Sequence, residues 1–567
     1  MNGLLLGLLA ALVEREVPVP MRDGVVLRAD VMRPAAGRLP TLVFRTPYGK
    51  HRAPDAEPTF ERAVERGYAV VIQDVRGRHA SEGEFEPYRN EGHDGFDTIT
   101  WAAAQPWSNG EVGTFGLSYP GAVQWLAALE SPPALKAMVP AMTYSTPRNF
   151  FYSGGVFDLS WLPWIWNNIA PDVRRRKDLP GPRTVREALA DWEARGEAMR
   201  SRLPLTALHE LREVAPYYFQ WLAHPPGDPW WQWAEVRGRH SRTRAAVLNV
   251  SGWHDEAYGP EGAVTNFLGL VEARRADLNP RAELVLGPWV HGAQALGETR
   301  SGDREFGPSA ALDYAALVLD FMDRHLRAAN APAPARVRAF VMGENAWRSG
   351  PGWPLTGTAQ RTFRLSAGVS GGPGRLVEAI SELEAGSSSF VSDPRAPVLD
   401  PHGASPGAHD YRALAQRSDL AVFQTPPLVA DLTVVGAIRA EIFVSADAPD
   451  LDLWVKLQDV APDGTAWSLM SPGLDVLRAS YRDGGPERKL LRTGEPVALR
   501  FENLMTGNRF RRGHRLRLVL APSFAPHFSR NLQTGESEAV ASEARPARIT
   551  IHYDADRPSH VVLPVLP

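Results

Sequence analysis

Residues 113–129 read Gly-Thr-Phe-Gly-Leu-Ser-Tyr-Pro-Gly-Ala-Val-Gln-Trp-Leu-Ala-Ala-Leu, and this stretch decides the fold. A short apolar strand, Gly113 to Phe115, enters the turn Gly116-Leu117-Ser118-Tyr119-Pro120-Gly121, and an amphipathic helix follows from Ala122 to Leu129. This is the setting of a nucleophile elbow. A Ser on a tight strand-to-helix turn presents its Oγ above the sheet, the next backbone N–H faces the same space, and flanking glycines let strand and helix approach. The literal G-x-S-x-G pattern fails at Ser118, because Pro120 holds the fifth place and Gly121 comes one later. It succeeds at Gly368-Val369-Ser370-Gly371-Gly372, in a turn with no helix after it, so context selects Ser118 over Ser370. The plainer role for Ser118 is a helix N-cap.

Outward from the elbow the chain alternates. Strands are expected at Val26 to Val31, Thr41 to Phe44 and Tyr68 to Asp74, and helices at Pro58 to Arg66 and Asp94 to Ala104. Such alternation implies βαβ units around a largely parallel sheet, whose buried strands read as apolar runs such as "YAVVIQD". Residues 146–240 hold eight of the 17 Trp and few strand signals, which marks a helical insertion, with one helix at Val185 to Arg200. The α/β pattern resumes at Ala246 to Val250, followed by a helix Glu261 to Ala273, a strand Glu283 to Leu286, a helix Ser309 to Arg327 and the strand "RVRAFVMG". Beyond residue 357, short β-branched runs alternate with Gly/Pro turns, the pattern of a β-sandwich or jelly roll. The Ser/Pro/Gly-rich stretch Ser387 to Pro406 reads as a long loop. The expected division is 1–145 and 241–356 for the two parts of an α/β domain, 146–240 for the inserted cap, and 357–567 for the sandwich. A length of 567 residues suits three or four domains at about 150 residues each.

Composition narrows the chemistry. The chain has no Cys, which excludes disulfides, thiolate metal sites and a Cys nucleophile. A net charge of −3 gives no general attraction to nucleic acid or acidic membranes. The apolar run Leu4 to Val13 is too short to span a bilayer, lacks a preceding Lys or Arg, and reads as a short packed helix rather than a signal peptide. A cytoplasmic location is favoured over a secreted one. "RRRKD" at Arg174 to Asp178 reads as a solvated helix end. Asp94 and Asp97 read as helix-start charges rather than metal ligands.

A serine hydroxyl needs a base within hydrogen-bond reach, and the base needs an orienting carboxylate. In a doubly wound sheet these belong at the carboxyl ends of later strands. Asp255 follows the strand Ala246 to Val250, and His291 follows Glu283 to Leu286. The order Ser118, Asp255, His291 is the α/β-hydrolase order. His254 competes with His291 by adjacency, and Glu256 competes with Asp255.

The segments "VPMRDGVVLRADVMRP", "RTPYGK", "QDVRGRHASEGEF", "GLSYPG", "GWHDEAYG", "GPWVHG", "VMGENAWR" and "GHRLRLVLAPSFAPHFSRNLQTG" run along nearly the whole chain. Together they resemble the CocE/NonD hydrolases, which include cocaine esterase, X-prolyl dipeptidyl peptidases and α-amino-acid ester hydrolases. The resemblance implies an α/β-hydrolase domain with an inserted helical cap and a C-terminal β jelly roll. It carries the triad onto Ser118, Asp255 and His291, and an oxyanion hole onto the Tyr48 hydroxyl and the Tyr119 backbone amide. It implies a serine carboxylesterase needing no cofactor or metal, with a small-molecule ester or amide substrate, no nucleic-acid or membrane partner, and a homo-oligomer left open. A peptidase or amide hydrolase of the same family is the alternative, and a non-catalytic binding protein is the alternative of another class. In the α-amino-acid ester hydrolases, carboxylates hold the second and third places after the catalytic acid. Here those places are Ala257 and Tyr258, which disfavours a free α-amine substrate. The Trp-rich insertion suggests an apolar or aromatic acyl pocket, though most of its Trp are expected to form the cap's own core.

Overall fold

The computed structural model describes residues 11–53, 57–277, 279–327, 334–368, 372–403, 405–470 and 475–567. Ser370 and the residues before position 11 lie outside that set. Before the insertion run β1 (Leu12–Pro20), β2 (Val26–Arg33), β3 (Leu39–Thr46), β4 (Ala69–Asp74), β5 (Ser108–Leu117) and β6 (Leu135–Ala141). The insertion holds the two-residue strands β7 (Tyr152–Ser153) and β8 (Val156–Phe157). Then come β9 (Ala246–His254), β10 (Ala282–Val290), the small hairpin β11 (Arg300–Ser301) and β12 (Arg304–Glu305), and finally β13 (Val337–Val341) and β14 (Ala346–Gly350). A 10-stranded sheet takes the order β1-β2-β4-β3-β5-β6-β9-β10-β13-β14. It is parallel from β4 through β13, and antiparallel strands close both edges. Every residue of β4 and of β9 is buried, as parallel strands covered on both faces must be.

Helices α1 (Thr59–Glu65), α2 (Glu91–Ala103) and α3 (Tyr119–Leu129) follow β3, β4 and β5. Four more helices lie in the insertion: α4 (Trp161–Trp164), α5 (Ala170–Lys177), α6 (Val185–Ser201) and α7 (Tyr217–Ala223). The later part adds α8 (Glu261–Ala273) and α9 (Tyr314–Leu326). Phe60 of α1 and Val318, Phe321 and Met322 of α9 pack on one sheet face, while Val123 and Leu126 of α3 and Phe267 of α8 pack on the other. Two covered faces make this a doubly wound α/β fold.

All-β structure fills the rest: β15 (Ala359–Ser366), β16 (Gly374–Val377), β17 (Gly386–Ser392), β18 (Ala421–Gln424), β19 (Leu432–Ala446), β20 (Asp452–Val460), β21 (Ala466–Ser468), β22 (Val476–Arg478), β23 (Val497–Phe510), β24 (Arg515–Ala521), β25 (Ala547–Tyr553) and β26 (His560–Leu566). This part clasps the α/β sheet through backbone pairs, Met342 N to Gly507 O at 2.8 Å and Arg509 N to Met342 O at 2.7 Å. It grips the insertion as well, with Leu159 N donating to His527 O and Arg478 N to Gly154 O.

Four local expectations are overturned. Of the run Leu4 to Val13 read as a helix, Leu4 to Ala10 lie outside the described residues, while Leu12 and Val13 open strand β1 and pair with Arg33 and Met32. Ser387 to Pro406 does not begin as loop. Its first residues form β17 against β25, where Ser388 meets the Tyr553 hydroxyl at 3.0 Å and Ser389 meets Thr550 Oγ1 at 2.8 Å, so cross-strand partners satisfy hydroxyls that usually favour turns. Ser309 lies before α9, which starts where the Asp313 carboxylate accepts from Ala316 N. The basic end of α5 is only partly solvated: Arg174 is buried, with its guanidinium 4.3 Å from the Trp166 ring centroid.

Candidate active site

The elbow is built as its glycines require. Ser118 sits at φ 69°, ψ −127°, a conformation that L-residues avoid and that persists only where the surroundings impose it. Its N–H donates to Ala141 O at 3.0 Å, and its carbonyl accepts from Gly121 N and Ala122 N, both at 2.9 Å. A Cβ on Gly116 would lie 2.5 Å from Pro120 Cβ, and one on Gly121 would lie 2.6 Å from Ala141 O. The space-critical glycines are thus 116 and 121, which is why Pro120 is tolerated in the fifth place. Around the elbow, the Tyr119 ring has that of Tyr48 edge-on at 6.5 Å and that of Tyr88 stacked at 4.2 Å.

Asp255 and His291 leave adjacent parallel strands, β9 and β10, at the same sheet end as Ser118. Asp255 is wholly buried, and its Oδ1 accepts from His291 Nδ1 at 2.8 Å, from Ala257 N at 3.2 Å and from Tyr258 N at 3.3 Å. Ser251 Oγ donates to its Oδ2 at 3.3 Å. Those donors hold the carboxylate in one orientation, and with Nδ1 engaged, the other imidazole nitrogen, Nε2, is left to act. Burial works against the imidazolium, but the Asp255 charge and hydrogen bond outweigh it, so His291 titrates above its ordinary value. Tyr258 links this pair to the elbow: its hydroxyl meets that of Tyr88, whose ring stacks on Tyr119, and its own ring centroid is 5.4 Å from that of His291.

The two rivals are occupied elsewhere. His254 is buried with its ring nitrogens near Pro288 O (3.3 Å) and Ser468 O (3.2 Å). Glu256 Oε2 accepts from the backbone N–H of His291, at 3.0 Å, and so braces the histidine's main chain rather than its ring.

Tyr48 stands on the turn after β3. Tyr48 N donates to Thr46 Oγ1 (3.1 Å), Arg78 Nε to Pro47 O (2.9 Å) and Lys50 N to Asp74 Oδ1 (2.6 Å), so the turn is fixed before any ligand arrives. Burial raises the phenol's pKa, which keeps its proton in place at neutral pH. The phenol oxygen accepts from Trp164 Nε1 at 3.0 Å. The Tyr119 phenol is turned away, donating to Glu91 Oε1 at 2.7 Å and accepting from Tyr88 N at 3.0 Å. Only its backbone N–H, in the first turn of α3 where no intrahelical acceptor exists, is free to serve the site.

The insertion supplies an aromatic wall. Phe150 stacks on Tyr258 (4.8 Å, 14°), Trp161 packs edge-on to Phe150 (4.7 Å), and the Tyr88 hydroxyl meets that of Tyr258 at 3.3 Å. Trp161, Trp166, Trp221 and Trp231 are buried, and the other four are half-exposed. Sequence reasoning did not single out Trp164, Tyr88 or Tyr258 as members of the site. Trp164 lies in the Trp-rich insertion and Tyr258 in "GWHDEAYG", Tyr88 lies in no segment singled out above, and only the folded chain pairs them.

Among the described residues one cluster has metal-binding side chains, Asp303 with His402 and His409. Its two imidazoles stack at 4.4 Å and 7°, so their in-plane lone pairs run parallel and do not converge on one ion in this arrangement. His409 Nδ1 pairs with Asp303 Oδ2 at 2.7 Å.

With this geometry in hand, comparison places the chain among known proteins. The X-Pro dipeptidyl-peptidase (S15 family) profile matches residues 23–293, and the profile of the C-terminal non-catalytic domain of X-Pro dipeptidyl-peptidase matches residues 330–562. The chain is 34% identical over 587 aligned positions to a cocaine esterase of Rhodococcus sp. (strain MB1 Bresler), covering 98% of each. It is 27% identical to a putative serine esterase of Mycobacterium bovis, covering 90% of each. A solved α-amino acid ester hydrolase superposes with a TM-score of 0.83 at 24% identity, over 98% of this chain and 96% of the other, a likeness of fold.

Proposed function

Because the chain belongs to the CocE/NonD hydrolases of the X-Pro dipeptidyl-peptidase (S15) family, we propose that this serine hydrolase cleaves carboxylic esters through an acyl-enzyme on Ser118. The observation that carries the reading is the 2.8 Å Asp255–His291 pair, standing at the sheet end that bears the Ser118 elbow.

The reaction runs in two halves. His291 Nε2 takes the Ser118 proton as Oγ attacks the acyl carbon. The carbonyl oxygen becomes an oxyanion, which the Tyr48 O–H and the Tyr119 N–H stabilise. His291 then protonates the departing alkoxide, and the alcohol leaves. Water, losing its proton to the same His291, attacks the acyl-enzyme, and Ser118 recovers its proton as the acid departs. Asp255 fixes the imidazole tautomer and stabilises the imidazolium. A donor aimed at the oxyanion accelerates such a step by about 100- to 1000-fold.

The substrate is expected to be an ester with an apolar or aromatic acyl group. Support comes from the wall of Phe150, Trp161 and Tyr258, and from the absence of a carboxylate at positions 257 and 258. The test is incubation with a fluorophosphonate probe, then mass spectrometry of the labelled peptide. Label on Ser118 that is lost in Ser118→Ala supports the reading, and folded protein that takes no label sinks it. Turnover of 4-nitrophenyl butyrate well above that of a prolyl-anilide separates the esterase from a peptidase.

A further inference from the structure

Trp164 belongs to the insertion, at the end of α4, yet its indole reaches the turn after β3. Its Nε1 donates to the Tyr48 oxygen at 3.0 Å, and its ring lies parallel to that of Tyr119, 6.2 Å away at 11°. We propose that Trp164 is a positioning residue that sets the direction of the Tyr48 O–H, so that the insertion completes the oxyanion hole through one hydrogen bond. This rests on Tyr48 being the oxyanion donor.

A phenol has a single proton and accepts through its lone pairs, while an indole N–H can only donate. In the Trp164–Tyr48 bond the tyrosine is therefore the acceptor, and its own proton must point elsewhere. The Tyr48 ring stands edge-on to that of Tyr119, the residue after the nucleophile, with centroids 6.5 Å apart. A phenol O–H left alone rotates about its C–O bond. Here one orientation would set proton against proton at the indole, so the orientation that points away from Trp164 is selected. A phenol that accepts a hydrogen bond also donates a stronger one.

The indole is itself held in place. The same run of the insertion is pinned to the hydrolase body by Arg78, a fully buried guanidinium that donates to Asn168 O at 3.0 Å and Ile169 O at 2.9 Å as well as to Pro47 O. Asp172 accepts from His79 N at 2.9 Å. One rigid seam thus carries both Trp164 and the turn that bears Tyr48, and reorganisation at the moment of reaction is small.

The test is a double-mutant cycle with Trp164→Phe and Tyr48→Phe, assayed with 4-nitrophenyl butyrate and with an alkylboronic acid as a transition-state analogue. Trp164→Phe is expected to lower kcat about tenfold, the scale of one neutral hydrogen bond. KM should stay within about twofold, and boronate affinity should fall with kcat. On the Tyr48→Phe background, Trp164→Phe should cost nothing further. Trp164→His, which keeps a ring N–H, should recover part of the loss, and it serves as the variant of record if Trp164→Phe lowers Tm. A change in KM alone, or a full-sized loss on the Tyr48→Phe background, overturns the positioning role. An unchanged kcat in Tyr48→Phe overturns the oxyanion assignment beneath it.

Discussion

His291 sets the pH behaviour of the proposed reaction. Its pKa is raised by Asp255 against the opposing effect of burial, and the base must be neutral to accept the serine proton. Activity is therefore lost as pH falls through that raised value, so the acid limb of kcat/KM should have its midpoint above the ordinary histidine value of about 6.5. A midpoint below about 6 in a pH–rate profile would contradict this. Asp255→Asn removes the charge that raises the pKa and the acceptor that fixes the tautomer. It should lower kcat by about 10³- to 10⁴-fold, read in the same assay with folding checked by circular dichroism. Of the proposed triad, the meeting of Asp255 with His291 was legible because each sits at a strand end, where order along the chain says much about position in space. Tyr48 was legible only through resemblance. Trp164 and Tyr258 were not legible as site members, because nothing local marks one tryptophan among 17 or one tyrosine among 13 as facing a particular hydroxyl.

The elbow is the element on which the site depends, and its constraint is space. Gly121→Ala places a methyl 2.6 Å from the Ala141 carbonyl, on backbone that cannot yield without shifting β6 or α3. The expected cost is on the order of 2–4 kcal/mol in a urea melt, with loss of Ser118 labelling by the fluorophosphonate. A melt within about 0.5 kcal/mol of the parent would show that the turn has slack. Strands and helices of the α/β part were legible to within a few residues, because apolar runs and capped helices carry their own periodicity. The stretch opening with Ser387 misled because serine favours turns in isolation, whereas β25 offers it cross-strand partners. Leu12 and Val13 misled because leucine and valine serve either structure, and pairing with β2 decides between them.

Across the whole molecule, charge buried in the sandwich stabilises the junction with the insertion. Arg478 is buried between Asp452 (2.7 Å) and Glu538 (2.8 Å), and its backbone N–H holds Gly154 in the insertion. Leu205 N donates to the Glu538 carbonyl from the other side. Arg478→Met leaves two buried carboxylates without their cation, and the expected destabilisation is about 3–5 kcal/mol by denaturant melt. A loss under about 1 kcal/mol would mean that water already reaches the pair.

One contact ties the chemistry to the far end of the chain. His254 leans on the Ser468 carbonyl, and the next residue is Asp255, so the strand end bearing the proposed orienting acid is clasped by the end of β21, some two hundred positions downstream. A polypeptide cut between Gly350 and Ala359 keeps Ser118, Tyr48, Asp255 and His291 but forfeits that clasp. Such a fragment should be feeble alone and should regain turnover when the severed half is mixed back in, so the β domain acts as a splint for the histidine's partner.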